Sequence, residues 1–466
     1  MIHADTSLSP ADLLPAIDRM WSLSGPKILS LDEAFTPGSP APVFTINGTY
    51  STQGWTEWTE GFQHGSAALQ FDATRDDRFL QVARERTLET MASHVTHSGV
   101  HDHGFNNVST YGNLLRLARR GAYSPDGYEK HFYELALKAS GAVQASRWSK
   151  TIDGTGYIYS FNGPQSLFVD TVRSCRALAW GHSLGHSLMG ERDESISLLG
   201  RLLEHCTNTA KYSIYYGEGR DIYDIRGRTA HESLFNTNNG DYRAPSTQQG
   251  YSAFSTWTRG LAWAMCGFPE QLEFLETRTD DELAPFGGRQ ALEDTMLKAA
   301  LATCDFYLEH TPTCGVPYWD TGAPNLHKLG DYLDRPADPL NPHEPVDSSA
   351  AAIAVQGLVR LSLWLDRRGR SDEAKKYMAA GLMSLRTLLT DTYLSTTDAH
   401  QGLLLHAVYH HPNGWDRVDD DGIPRGESCM WGDYHLREAA LLVQQLGKGE
   451  QPMTFFGLLA AEGVAS

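Results

Sequence analysis

AAIAVQGLVRLSLWL, residues 351–365, carries apolar side chains on every side of a helical wheel, interrupted only by Gln356, Arg360, Ser362 and a glycine. A helix that is apolar all round is an inner helix, enclosed by other elements. LAWGHSLGHSL, residues 178–188, reads the same way. Other stretches repeat apolar residues at three- and four-residue steps, as in LEDTMLKAALATCDFYL from Leu292, and so carry one wet face. Helical segments are predicted to begin near Ser9, Thr56, Asp76, Phe105, Gly127, Phe168, Glu191, Ser255, Arg289, Asp347, Ser371 and Met430. Ser9-Pro10 and the acidic start at Asp347 are helix-initiation signals. Short strand-like pieces fall at Val43–Ile46, Tyr157–Phe161 and Ser213–Tyr216, and Pro-rich loops at Thr36–Pro42 and Arg335–Pro345. Uniformly apolar helices alternating with amphipathic ones fit helical hairpins closed into a ring. An open helical solenoid carries the same signature, so closure does not follow from periodicity.

The chain has 466 residues, 41% hydrophobic and 21% charged, with a formal net charge of −18. Phosphate backbones demand a basic face, so this balance excludes nucleic acid as a partner. It excludes adhesion to an anionic membrane on the same ground. It does not exclude an acidic small molecule, because a pocket can be locally cationic. The six cysteines are scattered without CxxC spacing, which fits reduced, buried thiols and implies neither a disulfide framework nor a cysteine zinc site. The first residues lack the basic and apolar regions of a signal peptide. No uninterrupted apolar run reaches the ~18 residues of a membrane span. The expectation is a soluble, cytoplasmic protein of undetermined oligomeric state.

TQQGYSAFSTWTRGLAWAMCGF, residues 247–268, gathers Gln249, Trp257, Arg259 and Trp263 where a loop becomes a helix. Ser255 and Thr256 are the hydroxyl residues suited to its N-cap. Arg259 and Trp263, four apart, share a helix face. An indole stacks on a sugar ring, a guanidinium forks onto a carboxylate and an amide reads hydroxyls, so the cluster suits an anionic sugar. The same residues also suit an aromatic helix packed in a core with one snorkelling Arg.

Two aspartates stand out by context. Asp170, in SLFVDTVRSCRAL, follows an apolar run and precedes a helix, which on its own reads first as an N-cap. Asp102, in HSGVHDHGFNN, is a polar turn residue before a helix. Converging at one end of a helical ring, two such carboxylates would not both ionise freely, and the one with the raised pKa serves as an acid. His182 and His186 have helical i, i+4 spacing and His101 and His103 flank Asp102, but no HExxH or third ligand accompanies them, so no metal is expected. His231, in GRTAHESLFN, is a polar loop residue. GxSxG, GxxxxGK[ST] and strand–GxGxxG–helix patterns are all missing. Trp55, Trp58, Trp257, Trp263, Trp319 and Trp431 stand in polar, Gly- or Pro-punctuated contexts, whereas Trp180 and Trp364 lie inside apolar helices.

HDHGF at His101, FVD ending at Asp170 and QGYSAFSTWTRGLAWAMCGF from Gln249 together resemble the unsaturated glucuronyl hydrolases of glycoside hydrolase family 88. PYWD at Pro317, DSSAAAIA at Asp347 and WGDY at Trp431 extend the likeness from Trp58 to Tyr434 in the family's order. The resemblance implies an all-α, six-hairpin (α/α)6 barrel in one domain over residues 1–466, with about the first fifty residues an extension packed on it. It implies hydration of the C4=C5 enol ether of an unsaturated uronic acid, with no cofactor, metal or covalent intermediate. In that family Asp170 corresponds to the acid/base and Asp102 to the aspartate that orients the sugar and tunes it. His101, His231, Gln249, Trp257, Arg259, Trp263 and Trp58 correspond to substrate-pocket positions. The implied partner is a small anionic oligosaccharide.

Several features depart from the pattern. Arg173 and Arg176 follow Asp170 by three and six residues. Arg173 is a candidate specificity residue, able to lower the Asp170 pKa or to bind an extra anion, or else simply to form an i, i+3 ion pair. Phe254 stands at an acidic position of the motif, His103 and Asn106–Asn107 make the Asp102 segment more polar, and long loops occur at 323–344 and 410–425. An unsaturated rhamnogalacturonyl hydrolase on the same barrel, a sugar epimerase or inverting glycosidase, and a non-catalytic carbohydrate-binding barrel are the competing readings. The HDxGF form favours the glucuronyl branch, and an epimerase would need a histidine partner for His231.

Overall fold

Asp347 turns an extended segment into the most enclosed helix of the protein. In this computed structural model, which describes residues 1–2, 5–54, 57–418 and 421–457, its carboxylate accepts the backbone N–H groups of Ser349 and Ala350 at 3.0 and 3.4 Å. Those bonds satisfy donors that a helix start leaves open. The helix that follows, Ser348–Arg367, is long and apolar enough by composition to cross a membrane, yet 94% of its apolar window is buried inside the protein. It is a core helix. Trp55 and the helix start expected near Thr56 lie outside the described residues.

Twelve helices of seven residues or longer run through the described chain. They are α1 (Leu14–Ala34), α2 (Glu60–Thr74), α3 (Asp77–Thr90), α4 (103–119, with a π-helical stretch at Val108–Gly112), α5 (Gly127–Ser146) and α6 (171–183). Then come α7 (Leu198–Tyr212), α8 (Thr258–Leu275), α9 (Arg289–His310), α10 (Ser348–Arg367), α11 (Ser371–Leu388) and α12 (Met430–Gly447). The even-numbered helices pack each against the next, α2 through α12, and α12 returns to α2. The odd-numbered helices lie outside: α1 and α3 on α2, α5 and α7 on α6, α9 on α8, and α11 on α10. The fold is therefore an all-α barrel of six helical hairpins, and the contact of α12 with α2 is what separates it from an open solenoid.

Inner helices approach closely where a side chain is missing. A Cβ on Gly104 at the start of α4 would stand 2.1 Å from the Ser174 carbonyl oxygen of α6, and one on Gly357 of α10 would stand 2.3 Å from the Met265 carbonyl oxygen of α8. One hydrophobic cluster, from Ile2 to Phe456, fills the space between the two rings.

Four expectations about the elements need correction. The helix expected over 178–188 ends at Ser183, and Leu188–Met189 is a short strand. Ser166–Phe168 is a strand paired antiparallel with Glu232–Phe235, so α6 begins at Thr171 rather than near Phe168. The segment at Glu191 makes only a short 3-10 turn, and α7 starts at Leu198, where Ser197 Oγ accepts the Gly200 N–H at 3.0 Å. Ser213–Tyr216 contributes a single antiparallel bridge rather than a strand, Ile214 to Thr229, held by the Ala230 N–H on the Ser213 carbonyl at 2.8 Å and the Tyr215 N–H on the Arg228 carbonyl at 3.0 Å.

Candidate active site

The strand Ser166–Phe168 delivers Asp170 to one end of the barrel. Its pairing is continued by Val169, whose N–H donates to the His231 carbonyl at 3.0 Å. Asp170 has helical backbone angles and its side chain makes no capping bond to α6. The carboxylate instead accepts from His101 Nε2 at 3.2 Å and from the Thr171 hydroxyl at 3.4 Å. The capping reading of Asp170 therefore fails, and its carboxylate is left for the site. Asp102, just before α4, likewise caps nothing, and His101 Nε2 also stands 3.5 Å from its Oδ1. One imidazole nitrogen is thus wedged between two carboxylates. Gly104 makes this possible, since only a residue without a Cβ lets α4 lie against Ser174. The Gly104 N–H donates to Ser174 Oγ at 3.1 Å, and the His101 carbonyl accepts from Gln144 Nε2 at 2.8 Å.

Burial and charge set the protonation of these three groups apart. Burial pushes the Asp102 carboxyl above its ordinary value, the Asp170 charge adds to this, and His101 opposes it. Burial pushes Asp170 the same way, but the hydrogen bond and charge of His101, with the charge of His231, outweigh it and hold Asp170 below its ordinary value. His101 itself sits above its ordinary value, because Asp102 and the bond to Asp170 outweigh the burial that pulls it down. The raised carboxyl is therefore Asp102, and the contact between His101 and Asp170 favours a proton on the imidazole over one on the carboxylate.

These residues form the floor of a cavity of ≈ 510 Å³. Trp58, Trp257 and Trp263 wall it. Trp58 is stacked on Trp431 at 5.0 Å and donates from Nε1 to the Tyr409 hydroxyl at 3.3 Å. Trp263 packs on Phe105 at 4.9 Å and on His435 at 5.0 Å. Gln249 lines the same wall, and its orientation is fixed: its Oε1 accepts from Arg259 Nη2 at 2.7 Å. The amide oxygen being taken, the amide N–H groups are what Gln249 has left to donate.

Arg259 lines the cavity but does not wait there for a carboxylate. Its Nη1 donates to Asp347 at 2.8 Å and to the Val408 carbonyl, and its Nη2 to Gln249 and to the Tyr409 carbonyl at 2.6 Å. The guanidinium lies between Trp257 and Trp431, 4.6 and 5.0 Å from their ring centres. The carboxylate it meets is the protein's own, on a residue that is also the cap of α10. His231 is likewise a support rather than a wall. It lies outside the cavity lining, packed between Phe168 and Trp257 at 4.6 and 4.5 Å. Its Nδ1 accepts the backbone N–H groups of Gln248 and Gln249 at 3.2 and 3.4 Å, which requires a neutral ring protonated on Nε2. Burial pulls its pKa down to about 4, in keeping with that state.

Arg173 is corrected outright. It is fully buried beneath the floor, donating to Glu270 at 3.0 Å and to Glu438 at 2.6 Å, with His435 against its third nitrogen. It neither pairs with Asp170 nor lines the cavity, because α6 turns that face into the barrel interior. Arg176 is buried beside it and donates to the Gly104 carbonyl at 3.1 Å. The N-cap of α8 is Trp257, with no side-chain cap; the Thr256 hydroxyl accepts the Thr229 N–H instead. Phe254 is exposed against Tyr223, and His103 is buried on Ser140 and the His97 carbonyl. Among the described residues no three His, Cys, Asp or Glu side chains are grouped to hold a metal ion.

Sequence reasoning missed Glu57, His97, Phe161, Phe168, Gln248, Tyr409, His410 and Asn413, all of which line the cavity. The only signal for the last group was the long loop starting at His410. No family model matches the chain. The unsaturated glucuronyl hydrolase of Formosa agariphila is 25% identical to it over 396 residues, which is 84% of this chain and 80% of that protein. Over most of its length the chain is thus similar to curated unsaturated glucuronyl hydrolases. The solved structure of the unsaturated glucuronyl hydrolase from Bacillus sp. GL1 shares its fold with a TM-score of 0.69 at 20% identity, covering 95% of this chain and 98% of that one. An Asp-to-Asn variant of the unsaturated glucuronyl hydrolase from Streptococcus agalactiae, complexed with dGlcA-GalNAc6S, aligns with a TM-score of 0.61 at 18% identity over 94% of this chain and 93% of that one.

Proposed function

We propose that this protein removes the 4,5-unsaturated uronic acid from the non-reducing end of short lyase-generated oligosaccharides by adding water across the C4=C5 enol ether. The observation that carries the reading is His101 Nε2, 3.2 Å from Asp170 and 3.5 Å from Asp102 at the floor of an aromatic cavity. Protonation of C4 leaves oxocarbenium character on C5 and the ring oxygen, which an adjacent carboxylate stabilises. Asp170 is the acid/base. An incoming uronate adds negative charge beside it and raises its pKa. His101 then passes its proton to Asp170, Asp170 gives it to C4, and Asp170 recovers a proton from the water that attacks C5. The product is a hemiketal at C5, which opens and releases the remaining sugar. Asp102 keeps His101 seated and orients the sugar, Trp257 and Trp263 hold the ring, and the fixed Gln249 amide donates to its oxygens.

The test is spectroscopic. Incubation with lyase-generated disaccharides should abolish the ultraviolet band of the unsaturated uronate. Persistence of that band across glycosaminoglycan and pectin products would overturn the reading, and loss with pectin products alone would move the protein to the rhamnogalacturonyl branch.

A further inference from the structure

The charge around the cavity is uneven. Its floor and walls carry the carboxylates of Asp102 and Asp170 and one guanidinium, Arg259, whose terminal N–H groups already meet Asp347, Gln249 and two carbonyls. No lysine and no second arginine stand among the described lining residues. At the mouth stands another acid, Glu57, half-buried beside the exposed His97. Glu57 is held there from two sides. Its Oε2 accepts the Ala41 N–H at 2.9 Å, and its backbone carbonyl accepts from Asn106 of α4 at 3.4 Å. The neighbouring Trp58 is locked on Trp431.

Apart from His101, which is engaged between Asp102 and Asp170, the lining histidines do not offset this acid. Burial, with the charge of Arg259, pulls His410 down to about 4. Burial, with the charges of His94 and Arg147, also holds His97 below its ordinary value. Both are neutral at pH 7.

Resting on the hydration reading, the geometry fixes which part of a substrate meets Glu57. Bond making occurs at C4 and C5 beside Asp170, so the uronate fills the buried floor and the sugar to be released extends to the mouth. We infer that Glu57 is a specificity-determining residue that selects substrates whose released sugar is uncharged and disfavours those in which it bears a sulfate. A sulfate at the mouth would face a fixed carboxylate with no lysine and no second arginine among the described lining residues, and like charges in a cleft repel more strongly than in open water.

The experiment compares unsaturated chondroitin disaccharides without sulfate, with 4-sulfate and with 6-sulfate, following the ultraviolet band. The wild-type kcat/KM should be at least about tenfold higher for the unsulfated disaccharide than for either sulfated one, and the ratio should shrink as salt is raised because mouth charges are screened. Glu57→Gln, which keeps an acceptor for the Ala41 N–H, should narrow the ratio, and Glu57→Lys should bring it to unity or invert it. Circular dichroism and melting curves confirm that each variant is folded. Equal turnover of sulfated and unsulfated disaccharides by the wild type would overturn the inference while leaving the hydration reading intact. An unchanged ratio in both variants would remove Glu57 from the role. Persistence of the band with all three disaccharides and with pectin fragments would instead sink the underlying reading.

Discussion

Gly104→Ala tests whether the proximity of α4 and α6 sets the geometry of the site. The added Cβ would stand 2.1, 2.6 and 2.7 Å from the oxygen, carbon and Cα of Ser174, all backbone atoms that cannot swing aside. Ordinary contact begins at 3.4 Å, so the helices must part by about 1.3 Å. Asp102 and His101 ride on α4, Asp170 on α6. A parting of this size takes the 3.2 Å contact between His101 and Asp170 beyond hydrogen-bonding range. Misplacement of a reacting group by ~1 Å costs roughly 10²-fold in rate. Overpacking of a close-packed interior costs about 1–3 kcal/mol of stability. The assay is kcat/KM on an unsaturated disaccharide, with a urea titration for stability. Gly127→Ala is the control: it lies in the first turn of α5 with nothing within 4 Å of its Cβ, and should leave both quantities near wild type. If Gly104→Ala folds and keeps kcat/KM within about threefold of wild type, the argument that this contact positions the acid pair is wrong.

Two further outcomes follow from the site. Asp170→Asn should lower turnover by about 10²–10⁴, the usual share of a general acid/base, without a marked change in melting temperature, because its carboxylate caps no helix. Retained activity with a stability loss of ~1–2 kcal/mol would restore the capping role. Buried His231, held near 4 against an ordinary 6.5, binds fewer protons folded than unfolded between those values. Its contribution is complete above pH 6.5 and is lost as pH falls toward 4, by roughly 3 kcal/mol. His231→Asn, which keeps an acceptor for the Gln248 and Gln249 N–H groups, should show a shallower fall in urea-unfolding free energy between pH 7 and 4.5; an unaltered slope would refute this.

How far the sequence was legible depends on range. The Asp347 start of α10, the Asp76 start of α3 and the all-round apolarity of 351–365 are local, and each appears in the structure. The helix start reads as lying near Phe168, and the strand at 166–168 goes unrecognised, because its partner lies some seventy residues on and a three-residue strand leaves no periodicity of its own. The same reason hid the engagement of Arg259, whose carboxylate is 88 residues away and whose carbonyl acceptors are about 150 away. Arg173 misled for a related reason. Three residues after Asp170 it was judged against that neighbour, whereas its partners Glu270 and Glu438 come from α8 and α12. Residues such as Tyr409 and Asn413 belong to an irregular loop, where neither period nor cap gives a signal.

The closure of α12 on α2 has a consequence for how the protein is made. Trp58 and the Tyr409 hydroxyl it binds are 351 residues apart, so the wall they form exists only once nearly all the chain is available. The apolar face of α2 that α12 covers must wait through most of synthesis for that neighbour, and such exposed surface invites aggregation. Contacts of this range are also slow to form, since the entropy of closing the loop is spent before the contact returns anything. The pocket is therefore among the last parts of this molecule to appear, and a chain stalled before α12 would be both inactive and sticky.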